Sequence, residues 1–343
     1  EGMALVREVD QNLYRIWALG AAVLATVMFR WLQQLTNAAV AVVATLLFML
    51  HPGIIFYATL LDGTFLSTLL IFMTYYELWN LSRDPARSIL PFTALSISLT
   101  LLRTLFQWPA LIVFTAALLL LRVPKRSLLI YLTTSLVVLG SYLTKQYVLF
   151  GTTSTFGWRG LNMCRSIGST ERYEMGQYHA AIHSVATSPD EEAGLPAVLS
   201  RRIKVSDTPN FNHVSFLTLN REMVEYCSAR LKEVPLLSLL NGYRVNLGIY
   251  FSPSSRYITE HEIVKRLPWR ERYDSLFSGP LLPAAIGFAL VVTMLCRRRT
   301  TLLPHVGLLI PAAYILTISV IGERGENMRL KIFLEPLFYV FII

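Results

Sequence analysis

Runs of about twenty apolar residues, nearly free of charge and separated by short basic links, recur along this chain. A backbone inside hydrocarbon must satisfy its own N–H and C=O groups, so such runs fold as helices. Residues 60–79 and 302–321 reach that length without interruption. Residues 13–32 reach it when Arg15 and Arg30 snorkel to opposite interfaces. Residues 38–57 do so too, with His51-Pro52-Gly53 breaking the last turn, while 128–144 and 280–296 are shorter and almost uncharged. Only 15% of the 343 residues are charged, against about 25% in soluble domains. That deficit excludes an ordinary soluble globule, a disordered chain, a coiled coil and a small disulfide scaffold. The expectation is an all-α polytopic membrane protein.

Residues 89–121 are too long for one crossing, because at about 1.5 Å per residue they would extend about 50 Å. Arg103 stands near their middle, where a lone cation costs at least about 2.5–3.5 kcal/mol. Two helices with Arg103 at the turn remove both problems and place Pro109 in the first turns of the second helix. Alternating the links then gathers Arg30, Arg83, Asp84, Arg87, Arg122, Lys125, Arg126 and Arg297–Arg299 on one side, a net +8 in four short loops. The positive-inside bias makes that side cytoplasmic. The overall +9 is therefore a topology signal and not a nucleic-acid footprint. The reading is eight spans and a truncated ninth in the plasma or inner membrane.

By this division residues 1–12 end an outward loop or form an interfacial helix, and 13–144 form a membrane domain of about six spans. Residues 145–279 form an extracytoplasmic, mainly α domain, and 280–343 hold two spans and a truncated third. Within the outward block, residues 214–234 read as an amphipathic helix with Phe216, Leu217, Leu219, Met223, Val224, Cys227 and Leu231 mostly on one face. Residues 236–251 form a second apolar segment suited to the membrane interface, and 152–165, rich in Gly, Ser and Thr, read as loop. Cys164 and Cys227 both fall on the outward side, where one bridge can persist, but sequence does not reveal its geometry. His179, His183, His213 and His261 read as surface histidines, since no third metal ligand stands at a suitable spacing. No CxxC, HExxH or glycine-rich phosphate loop is present.

The isolated ionic residues on the outward side are the candidates for chemistry. Asp62 begins a span, where it serves either a cavity or the positive end of a helix. Arg103 can grip a phosphate bidentately or simply snorkel. Lys145 is a compact cation just past a span, an interfacial anchor or a phosphate ligand. Arg324, Arg329 and Lys331 could form a phosphate clamp braced by Glu323 or Glu326, or a solvated turn. Glu335, at the start of an apolar run, needs a cationic partner, for which Arg329 and Arg103 are the candidates.

Several of these segments resemble the GT-C class of membrane glycosyltransferases, in the group of protein O-mannosyltransferases and the lipid A aminoarabinose transferase. Arg30-Trp31-Leu32 is similar to that family's Arg-x-Leu turn, and His51-Pro52 through Tyr57 to Asp62 to its Pro…Tyr…Asp/Glu passage. Leu101-Leu102-Arg103-Thr104 resembles its Leu-Thr-Arg-Pro segment without the proline. Lys145 to Gly151 resembles its Arg/Lys-Asn-x-x-x-Phe-Gly exit, with Gln146 for Asn. Glu326 through Glu335-Pro336 is similar to its last outward loop before a final span.

The resemblance implies a GT-C-like helical bundle that transfers a sugar from a polyprenyl-phosphate carrier to a glycan, lipid or protein acceptor. It implies phosphate binding by Arg103, Lys145, Arg324 and Arg329, with Asp62, Glu326 and Glu335 as site carboxylates. The departing phosphate would be stabilised by fixed positive charge or a divalent cation. In this class the catalytic carboxylate sits on the first large outward loop. Here that loop is expected upstream of residue 1, with Glu8 and Asp10 as conceivable remnants of its end. Two other classes suit the same layout: a secondary transporter, and a non-catalytic membrane component of polysaccharide assembly or export.

Overall fold

The computed structural model describes residues 2–59, 63–103, 106–151, 159–167, 200, 213–254, 266–275, 302–322 and 328–342. Every regular element among them is a helix. The helices are α1 (Gly2–Leu35), α2 (Ala38–Met49), α3 (Pro52–Thr59), α4 (Gly63–Arg83), α5 (Leu90–Leu102), α6 (Trp108–Leu120) and α7 (Lys125–Phe150). They continue as α8 (Arg159–Ser166), α9 (Val214–Leu231), α10 (Leu236–Tyr250), α11 (Arg270–Tyr273), α12 (Leu302–Gly322), α13 (Met328–Lys331) and α14 (Glu335–Ile342). The chain divides into two compact units. The first comprises residues 1–142, 249–319 and 326–343, and the second 143–248 and 320–325.

In the first unit, α1 buries Leu24, Met28, Trp31 and Leu32, which recur at helical spacing on one face. That face meets α4. Gly20 allows the approach, since a Cβ there would come 3.1 Å from the ring of Phe65. Trp31 stacks among Phe72, Tyr76 and Trp79 at centroid distances of 5.3–6.2 Å. The outside of this unit is unlike that of a soluble protein. Large apolar side chains such as Ile112, Leu129 and Val137 point outward from α6 and α7. Such a surface is costly in water and costs nothing in lipid tails. Two helical stretches, Tyr14–Leu35 and Lys125–Leu149, are long and apolar enough to cross a membrane. The bent pair α2 and α3 makes a third if counted as one span. The chain is a membrane protein by these measures.

Among the described residues, fewer helices meet that standard than the eight spans expected from hydropathy. The segment 280–296 lies outside the described residues. Both α5 and α6 have 13 residues, about 20 Å each, short of a hydrocarbon core of about 30 Å. The apolar stretch of α12, Val306–Gly322, is also short. Helix α4 has the length, but it is a central helix whose polar residues are sheltered by protein. Thr68 and Thr74 hydroxyls donate to Thr64 O and Leu70 O within the helix, and Glu77 pairs with Arg87. Residues 2–12 continue α1 without a break.

The fold at Arg103 follows the sequence reading. Helix α5 ends at Leu102, Arg103 is extended (φ −136°, ψ 128°), and α6 starts with Pro109 in its first turn. Helix α6 closes at Arg122, whose φ of 59° is left-handed; Val123 N–H donates back to Leu118 O.

The second unit centres on α8 packed against α9. A Cys164–Cys227 disulfide joins them, both sulfurs buried. Gly160 lies so close to α9 that a Cβ would stand 2.5 Å from Asn220 O, and its N–H donates to the Asn220 side chain. The buried face of α9 is Phe216, Asn220, Met223 and Cys227. Two expectations change here. Residues 159–165, part of the stretch 152–165 read as loop, are helical because the bridge and the close contact with α9 override a composition that locally favours turns. His213, read as a surface histidine, is buried and caps α9 by accepting from Ser215 N–H at Nδ1 (3.1 Å). His179, His183 and His261 lie outside the described residues. The described residues 249–254 and 266–275 belong to the first unit, tied there by Ser252, Ser254 and Tyr273.

Candidate functional site

Pro52 lacks an N–H and disfavours helical backbone at His51, so the apolar run from Ala38 cannot continue as one helix. Helices α2 and α3 meet at a bend of 64°. The break exposes backbone groups that need partners inside the protein. Gly53 N–H donates to His51 Nδ1 at 2.9 Å, and Trp269 Nε1–H donates to Leu50 O at 3.2 Å. Because Nδ1 accepts, the ring proton sits on Nε2, which donates to Glu335 at 3.0 Å. A Cβ on Gly53 would stand 3.0 Å from both His51 Cε1 and Ser254 Oγ. Only glycine gives this room.

Glu335 opens α14, where the helix dipole favours an anion. It is 1% exposed, as is Lys331. The backbone turn from Leu330 to Leu334 brings Lys331 Nζ to 3.4 Å from one carboxylate oxygen, and Lys331 also donates to Ser252 O at 2.7 Å. Ser254 Oγ lies 3.0 Å from both carboxylate oxygens. Burial draws the Lys331 ammonium below the usual lysine range, and the carboxylate of Glu335 pulls it the other way. Tyr273 packs edge-on against His51 at 5.2 Å, donates to Leu47 O at 2.8 Å and shares a short hydrogen bond with Tyr339. Its burial raises the phenol well above its ordinary value. The hydroxyls of Tyr75 and Tyr250 are buried without a hydrogen-bond partner among the described residues.

Arg103 lies beside this centre. Its Nε donates to Ser67 Oγ and its Nη2 to Thr64 Oγ1, both at 3.0 Å, and its guanidinium carbon is 6.0 Å from the Phe333 ring. A Cβ on Gly63 would touch Nη2 at 3.5 Å. The cation thus sits at the positive end of α4, where two like-signed fields add. That combination attracts an anion.

The predicted site residues are therefore divided. Arg103 and Glu335 fall in the first unit, both next to the turn that carries Phe333. Among the described side chains the partners of Glu335 are His51, Lys331 and Ser254, in place of the expected Arg103, because Lys331 stands one helical turn before it. Lys145 is exposed on α7 in the second unit. Asp62, Glu323, Arg324 and Glu326 lie outside the described residues, as do the side chains of Glu8, Asp10 and Arg329. The sequence reading used His51 only as part of a break and a motif. Its signal was present: a histidine before proline inside an apolar run, with a carboxylate lacking an obvious partner in another run. No family model, curated protein or solved structure matches this chain.

Proposed function

We propose that the chain belongs to an integral-membrane glycosyltransferase of the GT-C type, moving a sugar from a polyprenyl phosphate to an acceptor at the extracytoplasmic face. The observation that carries this reading is Arg103 at the N-terminus of α4, next to Gly63, Thr64, Ser67 and Phe333. In this reading the guanidinium holds the carrier phosphate. The acceptor oxygen attacks the anomeric carbon, the bond from that carbon to the phosphate oxygen breaks, and a carboxylate takes the acceptor proton. Glu335 is unsuited to that task because its charge is already matched by Lys331 and its oxygens by Ser254 and His51. The Cys164–Cys227 bridge supports an oxidising, extracytoplasmic location for the second unit. The basic links on the other side support a multi-pass topology with those links in the cytoplasm.

The test is turnover of radiolabelled polyprenyl-phosphate sugars by membranes containing the protein. Arg103→Ala should lower turnover by about 10²–10³-fold, and Arg103→Lys should not restore it, because an ammonium lacks the bidentate fork. Absence of turnover in the wild type, or indifference to Arg103→Ala, defeats the proposal. One observation favours a secondary transporter instead: a broken α2–α3 helix with ionisable groups packed at the break. Ion-driven uptake into vesicles, without sugar transfer, would select that reading.

A further inference from the structure

At the break between α2 and α3 one imidazole bonds both the first turn of α3 and a buried carboxylate. Gly53 N–H points at His51 Nδ1, and His51 Nε2–H points at Glu335. With one proton, His51 is neutral, and Glu335 beside it is paired with Lys331. A second proton can go only to Nδ1. There it turns the acceptor of the Gly53 bond into a donor, setting two N–H groups against each other at a distance of 2.9 Å. It also leaves one excess positive charge in a buried centre.

The surroundings give little room for a compromise geometry. Gly53, His51 and Ser254 are in contact, and His51 is fully buried. The groups facing the imidazole can be named by element. Glu335 comes from α14, with Tyr339 of the same helix behind Tyr273. Lys331 comes from α13, Ser254 from the turn after α10, and Tyr273 from α11 followed by Asp274. Glu335 attracts a proton and Lys331 opposes it, while Asp274 is paired with Arg270 of α11. We propose that His51 is a proton-operated latch on the helix break: neutral, it caps the first turn of α3 through Gly53 and anchors that turn to Glu335; protonated, it releases Gly53 and lets the break rearrange. The latch goes beyond sugar transfer and does not depend on it.

Hydrogen exchange on the full chain in lipid nanodiscs, read by mass spectrometry at pH 8 and pH 5, covers the interval in which histidine ordinarily titrates. After correction for intrinsic exchange, protection of the Gly53 amide should fall about tenfold or more on acidification, while the middle of α2 keeps its protection. In His51→Gln this pH dependence should vanish. If that variant fails to fold, ¹⁵N spectra of histidine-labelled wild type provide the second measurement. One imidazole should pass from neutral to cationic over the interval in which Gly53 loses protection. Unchanged Gly53 protection in the wild type, the same loss in His51→Gln, or no histidine titrating together with that loss overturns the latch.

Discussion

Replacing Glu335 by Gln changes one charge and almost no volume. Gln still offers an acceptor to Ser254 and His51, so most of the hydrogen-bond frame survives. What disappears is the counter-charge 3.4 Å from the buried Lys331 ammonium. Removing one member of a buried pair typically costs about 3–5 kcal/mol, because the other charge stays desolvated. Removing both should recover most of that, so Lys331→Met with Glu335→Gln should lie within about 1 kcal/mol of wild type. Lys331→Met alone should cost less than Glu335→Gln alone, because the carboxylate left behind keeps its hydrogen bonds from His51 and Ser254. Unfolding free energies measured in mixed micelles by circular dichroism complete the double-mutant cycle. A loss below about 1 kcal/mol for Glu335→Gln, or a double variant no more stable than that single one, would refute the charge pairing described here.

Four further outcomes are expected. Gly53→Ala forces a methyl to 3.0 Å from His51 and Ser254 and should cost about 1–3 kcal/mol, seen as a lower thermal midpoint. Opening the bridge with Cys164→Ser plus Cys227→Ser, 63 residues apart in sequence, should destabilise the second unit by about 4 kcal/mol on the chain-entropy scale. Of the three cysteines, only Cys296 should react with a maleimide before reduction. Arg122→Gly removes a side chain from a left-handed backbone position and should stabilise α6 by about 1 kcal/mol in the same micelle assay.

Local physics made much of this fold readable. Arg103 and Pro109 disclosed a helix turn because one is costly at bilayer depth and the other suits a first helical turn. The spacing of Phe216, Met223 and Cys227 disclosed the buried face of α9. The number of crossings was less legible, because hydropathy does not distinguish a helix facing lipid from one covered by protein. Helix α4 shows the difference, since its threonines, tyrosines and Glu77 are tolerated by neighbours that no linear window includes. Helix α8 was hidden for a related reason: Gly160 weakens a helix locally, yet its missing side chain permits the contact with Asn220 that stabilises one.

The two ionic centres were equally visible as charges in apolar runs, but they differ in their surroundings: Glu335 is buried and Arg103 partly exposed. At Glu335 the compensating cation is in sequence one turn away, and Ser254 and His51 complete the carboxylate's hydrogen bonds. Its field is largely neutralised within the protein, which suits a hinge and not a base. At Arg103 the Thr64 and Ser67 hydroxyls orient the guanidinium at the positive end of α4. The proposed phosphate recognition uses that oriented cation, whereas the proposed latch at His51 uses the carboxylate whose charge Lys331 already matches.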